Sequence, residues 1–126
     1  MKVSEAMTTG VVTIGPSHTL REASSVMTER NIGSVVVHDP DADGPGILTE
    51  RDIVRAVSKG VDLDDSLAAD YLTTDSAYGS PSWSLDEATE AMRRSGFRHL
   101  VVVEGSDVVG IISMRDVVKA WGNSRS

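Results

Sequence analysis

The sequence predicts a mixed α/β fold, of the α+β type, built from two copies of one β-α-β-β-α unit. The clearest observation is a repeat, because residues 46–52 (GILTERD) return as residues 110–116 (GIISMRD). In each half, a helix-capping pattern opens a run with apolar residues at helical spacing. A β-branched apolar run follows each of these helices. The same elements in the same order therefore predict two domains, residues 1–62 and residues 63–126.

The first helix of each unit is predicted from its start. Thr19 and Ser84 are each followed three residues later by a glutamate, which is the capping-box pattern. The apolar residues that follow recur every three to four positions, so each run is predicted to be a short amphipathic helix. These apolar residues are Leu20, Ala23 and Met27 in the first unit and Leu85, Ala88 and Met92 in the second.

Each unit then contains two strands that form a hairpin. Residues 35–37 and 100–103 are apolar, mostly β-branched and too short for buried helices, so they are predicted to be strands buried on both faces. Turn-forming residues at 39–45 and 104–107 lead into the second strand of each hairpin. These second strands are predicted near 46–48 and 108–112, and short strands around 11–14 and 76–78 are predicted before the first helices.

A second helix follows each hairpin. It is predicted to start after Thr49 in the first unit and after Ser113 in the second, where apolar residues return to helical spacing. Because glycine commonly ends helices, these helices are predicted to stop at Gly60 and at Gly122. A unit of about sixty residues is small, and two such units gain stability by burying apolar surface together.

Composition excludes several classes of function. The chain has 126 residues with 12 Lys+Arg and 19 Asp+Glu, a formal net charge of −7, so a nucleic acid is not an expected partner. It has no cysteine, which removes disulfides, thiol nucleophiles and cysteine-based metal sites. No run approaches the roughly 20 apolar residues of a membrane span, and the first residues lack the apolar stretch of a signal peptide. We therefore expect a cytoplasmic protein without a membrane partner.

The repeated heptad has the chemistry of a nucleotide site. Thr49 and Ser113 are placed to cap the second helix of each unit, where free N–H groups and the helix dipole favour a phosphate. Asp52 and Asp116 lie one turn further on, and an acceptor-only carboxylate suits the two hydroxyls of a ribose. The same spacing is also typical of any well-capped helix. One copy therefore indicates little, and two copies favour a binding site without excluding a duplicated scaffold.

The combined motifs resemble a known family. The two heptads, the segment Ile32-Gly33-Ser34-Val35 and the segment Phe97-Arg98-His99-Leu100 resemble those of the cystathionine-β-synthase (CBS) domain. The resemblance covers the chain from about Met7 to Trp121, and a tandem pair of such domains is called a Bateman module. It implies two domains packed sheet to sheet about a pseudo-two-fold axis, with clefts for AMP, ADP, ATP or S-adenosylmethionine. It also implies a homodimer that regulates a separate, unknown protein by conformational change.

The resemblance assigns candidate roles to individual residues. It implies that Asp52 and Asp116 bind the ribose and that Thr49 and Ser113 lie near the phosphate. The adenine would contact the backbone and apolar side chains of a third group of residues. This group is Ile14, Ile32, Gly33, Ser34 and Val35 in the first unit and Tyr78, Phe97, Arg98, His99 and Leu100 in the second.

The two sites are not expected to be equivalent. Arg98 and His99 place a fixed cation and a titratable group beside the expected phosphate path, whereas the first unit has Gly33 and Ser34 there. The second site is therefore predicted to bind phosphates better. Local cations must offset the repulsion between an acidic protein and a nucleotide anion. The other candidate cations are Arg51 and Arg115.

An enzymatic role is not expected. The sequence has no nucleophile elbow, metal-ligand pair or glycine-rich phosphate loop, so no catalytic residue, catalytic cofactor or metal is predicted. The alternative function is a ligand-independent interaction or oligomerisation module that acts on a separate enzyme or transporter. Its contacts would be apolar side chains near helix ends, although such residues also close cores. The candidates are Tyr71, Leu72, Trp83 and Trp121.

Overall fold

The computed structural model describes residues 1–42, 44–73 and 76–124. Within these ranges it has two three-stranded sheets, five α-helices and a short 3₁₀ helix, Ala68–Asp70. The α-helices are α1 (Val3–Ala6), α2 (Leu20–Arg30), α3 (Glu50–Ser58), α4 (Leu85–Ser95) and α5 (Met114–Ser124). The strands are β1 (Thr13–Ile14), β2 (Ser34–Val37), β3 (Gly46–Thr49), β4 (Ser76–Gly79), β5 (His99–Glu104) and β6 (Asp107–Ser113).

The chain forms two compact units. The central unit comprises Val12–Thr74, and the split unit comprises Met1–Val11 together with Asp75–Ser126. Each unit has one sheet, in the order β1-β2-β3 or β4-β5-β6, and each sheet pairs its first two strands in parallel and its last two antiparallel. The predicted β-α-β-β-α order and both hairpins are confirmed in the described residues, which do not include Asp43 of the first turn.

The central unit buries the apolar faces of its sheet and helices. Val35 pairs with Leu48 across the hairpin, and both side chains are fully buried, as expected for strands covered on both faces. The predicted cap of α2 is confirmed, because the Thr19 hydroxyl accepts the Glu22 N–H at 3.1 Å. The buried core comprises Ile14, Leu20, Ala23, Met27, Val35, Val37, Leu48, Ala56 and Ala68.

The split unit is built in the same way. Leu100 pairs with Ile112 across its hairpin, and both side chains are buried. The Ser84 hydroxyl accepts the Glu87 N–H at 3.0 Å, which confirms the predicted cap of α4. The buried core comprises Val3, Ala88, Met92, Leu100, Val102 and Ile112.

The helices that begin within the two heptads, α3 and α5, which we call the heptad helices, end differently. Gly60 follows α3 with φ +75°, the left-handed backbone that terminates helices, so this predicted stop is confirmed. The predicted stop at Gly122 is wrong, because α5 continues to Ser124. A glycine within a helix costs about 1 kcal/mol relative to alanine, but it does not end the helix unless the backbone turns left-handed there.

The N-terminal segment belongs to the split unit. Residues 2–8, which we call the first strap, contain α1 and form an antiparallel bridge between Lys2 and Ser84. Val3 is fully buried, and its N–H donates to the Trp83 carbonyl at 2.8 Å. A four-residue helix has too little periodicity to be read from the sequence, so α1 was not predicted.

A matching segment belongs to the central unit. Residues 67–73, the second strap, form an antiparallel bridge between Leu67 and Thr19. Each strap thus packs on the helix and sheet of the other sequence repeat. The compact units for this reason do not coincide with the predicted domains 1–62 and 63–126.

Candidate functional site

The carboxylate of Asp52 lies at the start of α3 in the central unit. Thr49 is the N-cap of this helix, and its hydroxyl accepts the Asp52 N–H at 3.3 Å and donates to Asp52 Oδ2 at 2.9 Å. The Thr49 N–H donates to the same oxygen at 2.8 Å. Thr49 and Asp52 are only 8% and 6% exposed. The first heptad therefore forms a reciprocal capping box whose carboxylate is withdrawn from solvent.

A threonine of the second strap also contacts this carboxylate. The Thr73 hydroxyl donates to Asp52 Oδ2, so this oxygen receives three hydrogen bonds. The strap is held beside β3 because the Thr73 N–H donates to the Ile47 carbonyl at 2.9 Å. Since a carboxylate oxygen has two lone pairs, three donors saturate Oδ2.

The equivalent carboxylate of the split unit, Asp116, is more accessible. The Ser113 N–H and hydroxyl donate to Asp116 Oδ2 at 2.8 and 3.0 Å, and the hydroxyl accepts the Asp116 N–H at 3.2 Å. Thr8 of the first strap donates to the other oxygen, Oδ1, at 3.3 Å. Ser113 and Asp116 are half-buried and Thr8 is exposed. The cap is thus the same in both units, but the strap contact of the split unit is longer and open to solvent.

The first glycine of each heptad lets a strap approach its strand. A Cβ atom at Gly110 would lie 2.6 Å from the Met7 sulfur and 2.9 Å from the Thr8 carbonyl oxygen. A Cβ atom at Gly46 would lie 2.5 Å from the end of the Leu72 side chain. These separations are shorter than ordinary carbon contacts. The straps therefore take their observed positions because both heptads begin with glycine.

Backbone hydrogen bonds bring the predicted adenine segments to the same helix starts. The Glu50 N–H donates to the Gly33 carbonyl at 3.0 Å, which joins the segment 32–35 to α3. The Met114 N–H donates to the Arg98 carbonyl at 3.2 Å, which joins the segment 97–100 to α5. Each unit thus places its own adenine segment beside its own hydroxyl–carboxylate pair.

The side chains of these segments differ in exposure. Ile14, Val35 and Leu100 are buried in the cores, so a ligand can reach these three residues only through their backbone. The expectation that adenine contacts this group stays a prediction, and at these three positions it rests on the backbone, because strands covered on both faces leave no side chain to solvent. The remaining members are half-buried (Ile32, Ser34, Phe97 and His99) or exposed (Gly33, Arg98 and Tyr78).

The candidate cations are accessible. Arg51, Arg98 and Arg115 are exposed, and none of them forms an ion pair with another residue in the described part of the chain. Gly33 stands in the central unit where the split unit has Arg98. The start of α5 therefore has one more neighbouring cation than the start of α3.

The strap threonines are the site residues that the sequence interpretation missed. A signal was present, because residues 7–9 (MTT) and 72–74 (LTT) repeat at the offset of 65 that relates the first helices. Nothing local connects these threonines to the heptads, since Thr8 and Asp116 are 108 residues apart in sequence. The connection arises only when each strap packs on the other repeat.

Metal ligation and membrane insertion have definite structural requirements. Among residues 1–42, 44–73 and 76–124, no three side chains of the metal-binding types lie close enough together to hold an ion. None of the helices in the same stretches is long and apolar enough to cross a bilayer.

Known proteins share this sequence pattern. The family model of the CBS domain matches the chain twice, at residues 3–59 and 68–123. The CBS domain-containing protein YhcV of Bacillus subtilis (strain 168) is 33% identical over 116 residues. That match covers 91% of this chain and 81% of YhcV, so the two proteins correspond over most of their length.

Solved structures share the fold. The CBS-domain containing protein ATU1752 from Agrobacterium tumefaciens superimposes with a TM-score of 0.78 at 35% identity, covering 95% of this chain and 92% of that one. The CBS domain protein PAE2072 from Pyrobaculum aerophilum, solved in complex with AMP, has a TM-score of 0.78 at 27% identity, covering 98% and 99%. The resemblance carried by the two heptads is thereby confirmed. The chain belongs to the CBS-domain family and carries two CBS domains in tandem.

Proposed function

We propose that this protein is a regulatory CBS-domain pair that binds an adenosine-containing ligand and signals by changing conformation. The observation that carries the proposal is the pairing of Ser113 with Asp116, which sets a ribose acceptor one turn from a helix N-terminus. The AMP bound to the related PAE2072 supports an adenine nucleotide as the ligand class. ADP, ATP and S-adenosylmethionine contain the same adenosine and are further candidates.

Each part of the ligand has a candidate partner in the split unit. Asp116 accepts the ribose hydroxyls, and the positive end of the α5 dipole, next to Ser113, attracts the phosphate. Arg98 and Arg115 supply the positive charge that a phosphate needs in a protein of net charge −7. The backbone of residues 97–100 borders the adenine. The central unit offers the same set without the equivalent of Arg98.

Signalling follows from differential binding. A ligand changes the output only if it binds one conformation more tightly than another. The carboxylate, the helix start and the strap converge at one place in each unit, so a ligand that displaces the strap threonine breaks the side-chain contact between the strap and the helix start. The strap and helix are therefore the elements that we propose transmit the signal to a separate regulated protein.

The proposed setting is a cytoplasmic homodimer without catalytic activity. Exposed apolar side chains on the two heptad helices support self-association, because surfaces of this kind commonly mark protein interfaces. They equally favour the second candidate function, an interaction or oligomerisation module that needs no ligand. These side chains are Val54, Val57, Val118 and Trp121, between 57% and 65% exposed.

Thermal unfolding with AMP, ATP, S-adenosylmethionine and NADH tests the proposed function. A ligand present at ten times its dissociation constant stabilises the folded state by about 1.4 kcal/mol. In a domain of this size we expect the unfolding temperature to rise by roughly 4 °C. A rise with at least one of these ligands supports the sensor. No rise with any of them favours the ligand-independent module.

A further inference from the structure

The strap threonines compete with a ribose for the same carboxylates. A ribose binds an aspartate by donating from its two hydroxyls, so it needs free lone pairs on the carboxylate. Thr73 donates to Oδ2 of Asp52, and Thr8 donates to Oδ1 of Asp116. Each threonine donates one hydroxyl hydrogen bond, which is the type of contact that the ribose itself would make.

The two threonines do not hold their carboxylates equally. Thr73 is half-buried and donates to Oδ2, the oxygen that also caps α3, so its hydroxyl adds a further hydrogen bond that holds the Asp52 carboxylate in its buried position. Thr8 is exposed and donates from 3.3 Å to Oδ1, which takes no part in the cap of α5. Because a long, solvent-exposed hydrogen bond is readily exchanged for another donor, a ribose can replace Thr8 without disturbing the helix cap.

The straps cannot easily withdraw these threonines. Thr8 exchanges two backbone hydrogen bonds with Ile111, at 2.8 and 3.1 Å, and Thr73 donates one to Ile47. Gly110 and Gly46 let Met7 and Leu72 pack directly against β6 and β3, so close contact holds each strap in position. The hydroxyls are therefore presented at fixed positions, and only side-chain rotation frees a carboxylate.

We propose that the strap threonines determine which CBS domain accepts a ligand. Thr73 keeps Asp52 closed as a structural group, whereas Thr8 yields, so the chain binds one adenosine ligand, at Asp116. This inference rests on the proposed function and deepens it by assigning the working carboxylate. Thr8 and Thr73 act as positioning residues through the carboxylates that they contact.

Calorimetric titration with AMP tests the proposal. The wild-type chain is expected to bind one AMP per chain, and Thr73→Val, which removes the hydroxyl and keeps the branched shape, is expected to bind two. Thr8→Val is expected to keep one site and to tighten it about threefold, because it removes a competing hydrogen bond that is exposed to solvent and therefore weak. In the Thr73→Val background, Asp116→Asn is expected to leave one AMP per chain.

Two controls separate this effect from damage to the fold. Thr73→Ser keeps the hydroxyl, so this variant should bind one AMP per chain, as the wild type does. Thr28→Val makes the same chemical change at an exposed position of α2 outside both caps, and should bind like the wild type. Cooperative thermal unfolding of each variant shows that it is folded.

The outcomes distinguish this inference from the proposed function. Two AMP molecules on the wild type, or one on Thr73→Val, overturn the closing role of Thr73 while the adenosine sensor stands. Binding to Thr73→Val but not to the wild type supports the closing role of Thr73 and overturns the assignment of Asp116 as the working carboxylate. No AMP binding by any variant overturns both.

Discussion

The two CBS domains share one heptad and differ in how firmly the protein itself occupies it. Asp52 is 6% exposed, and one of its oxygens accepts hydrogen bonds from the Thr49 N–H, the Thr49 hydroxyl and the Thr73 hydroxyl. Asp116 is half-buried, and Thr8 contacts the oxygen that the cap leaves aside. A duplicated motif thus predicts where two sites can form. In our proposal, burial and strap contact determine whether each carboxylate serves structure or binding.

Removing the carboxylates should separate these two roles most strongly. Asp52→Ala is expected to lower the free energy of unfolding by about 3 kcal/mol, because it removes a helix cap and leaves buried donors unsatisfied. Asp116→Ala is expected to cost about 1 kcal/mol, since water can replace the lost acceptor. Urea unfolding of both variants measures the difference. Equal losses would show that the two carboxylates stabilise the fold equally and would contradict the comparison.

The heptad glycines provide a second test of the comparison. Gly110→Ala is expected to destabilise the protein by about 2 kcal/mol, because the added carbon meets the Thr8 backbone oxygen, which cannot rotate away. Gly46→Ala is expected to cost less than about 1 kcal/mol, because only the flexible end of Leu72 stands in its way. Thermal unfolding of both variants checks the order. A larger loss at Gly46 would contradict the account of how the straps are seated.

The extra arginine of the split unit should affect phosphates selectively. Arg98→Ala is expected to weaken ATP binding by about fivefold, which corresponds to an exposed ion pair of about 1 kcal/mol, and to leave adenosine binding nearly unchanged. Calorimetric titration with both ligands measures the two affinities. The equivalent position of the central unit is Gly33, so Gly33→Ala is the matched control and should alter neither affinity. Equal losses for ATP and adenosine would contradict a phosphate role for Arg98.

The smallest expected effect is a pH dependence confined to α4. Hydrogen bonds from Arg93 and then Arg94 lower the pKa of Glu90 from its ordinary 4.5 to about 2. The folded state thus gains stability above about pH 4.5, and this gain is lost as the pH falls towards 2. Ser25 occupies the repeat-equivalent position of α2 and cannot titrate in this range.

The variant Glu90→Gln checks this pH dependence. Its unfolding temperature is expected to lie slightly below that of the wild type at neutral pH, because exposed ion pairs contribute little. The difference should shrink as the pH falls from about 5 to about 2. A difference that stays constant over this range would show that the carboxylate charge is not responsible.

Local patterns predicted most of the fold. The capping boxes at Thr19 and Ser84, the β-branched strands and the left-handed stop at Gly60 each depend on neighbours within a few residues, and all three were predictable. The predicted helix end at Gly122 was wrong, because a glycine ends a helix only where the backbone conformation changes. A local sequence pattern therefore predicts an element correctly when contacts within a few residues stabilise that element.

The candidate site was predicted only in part. The hydroxyl–carboxylate pairs follow from the spacing within each heptad, and both pairs form as a capping box requires. The contact between Thr8 and Asp116 spans 108 residues and depends on a strap packing on the other repeat. The difference in burial between Asp52 and Asp116 likewise arises from tertiary packing. For these reasons the sequence predicted the two hydroxyl–carboxylate pairs and not the difference in burial between them.

A crystal structure of the protein with AMP tests the central claim most directly. The account predicts AMP in the split unit, with both ribose hydroxyls bonded to Asp116, Thr8 turned away from Oδ1, and Thr73 still bonded to Asp52. AMP with its ribose on Asp52, or crystals in which neither carboxylate contacts the nucleotide at saturating concentration, would contradict it.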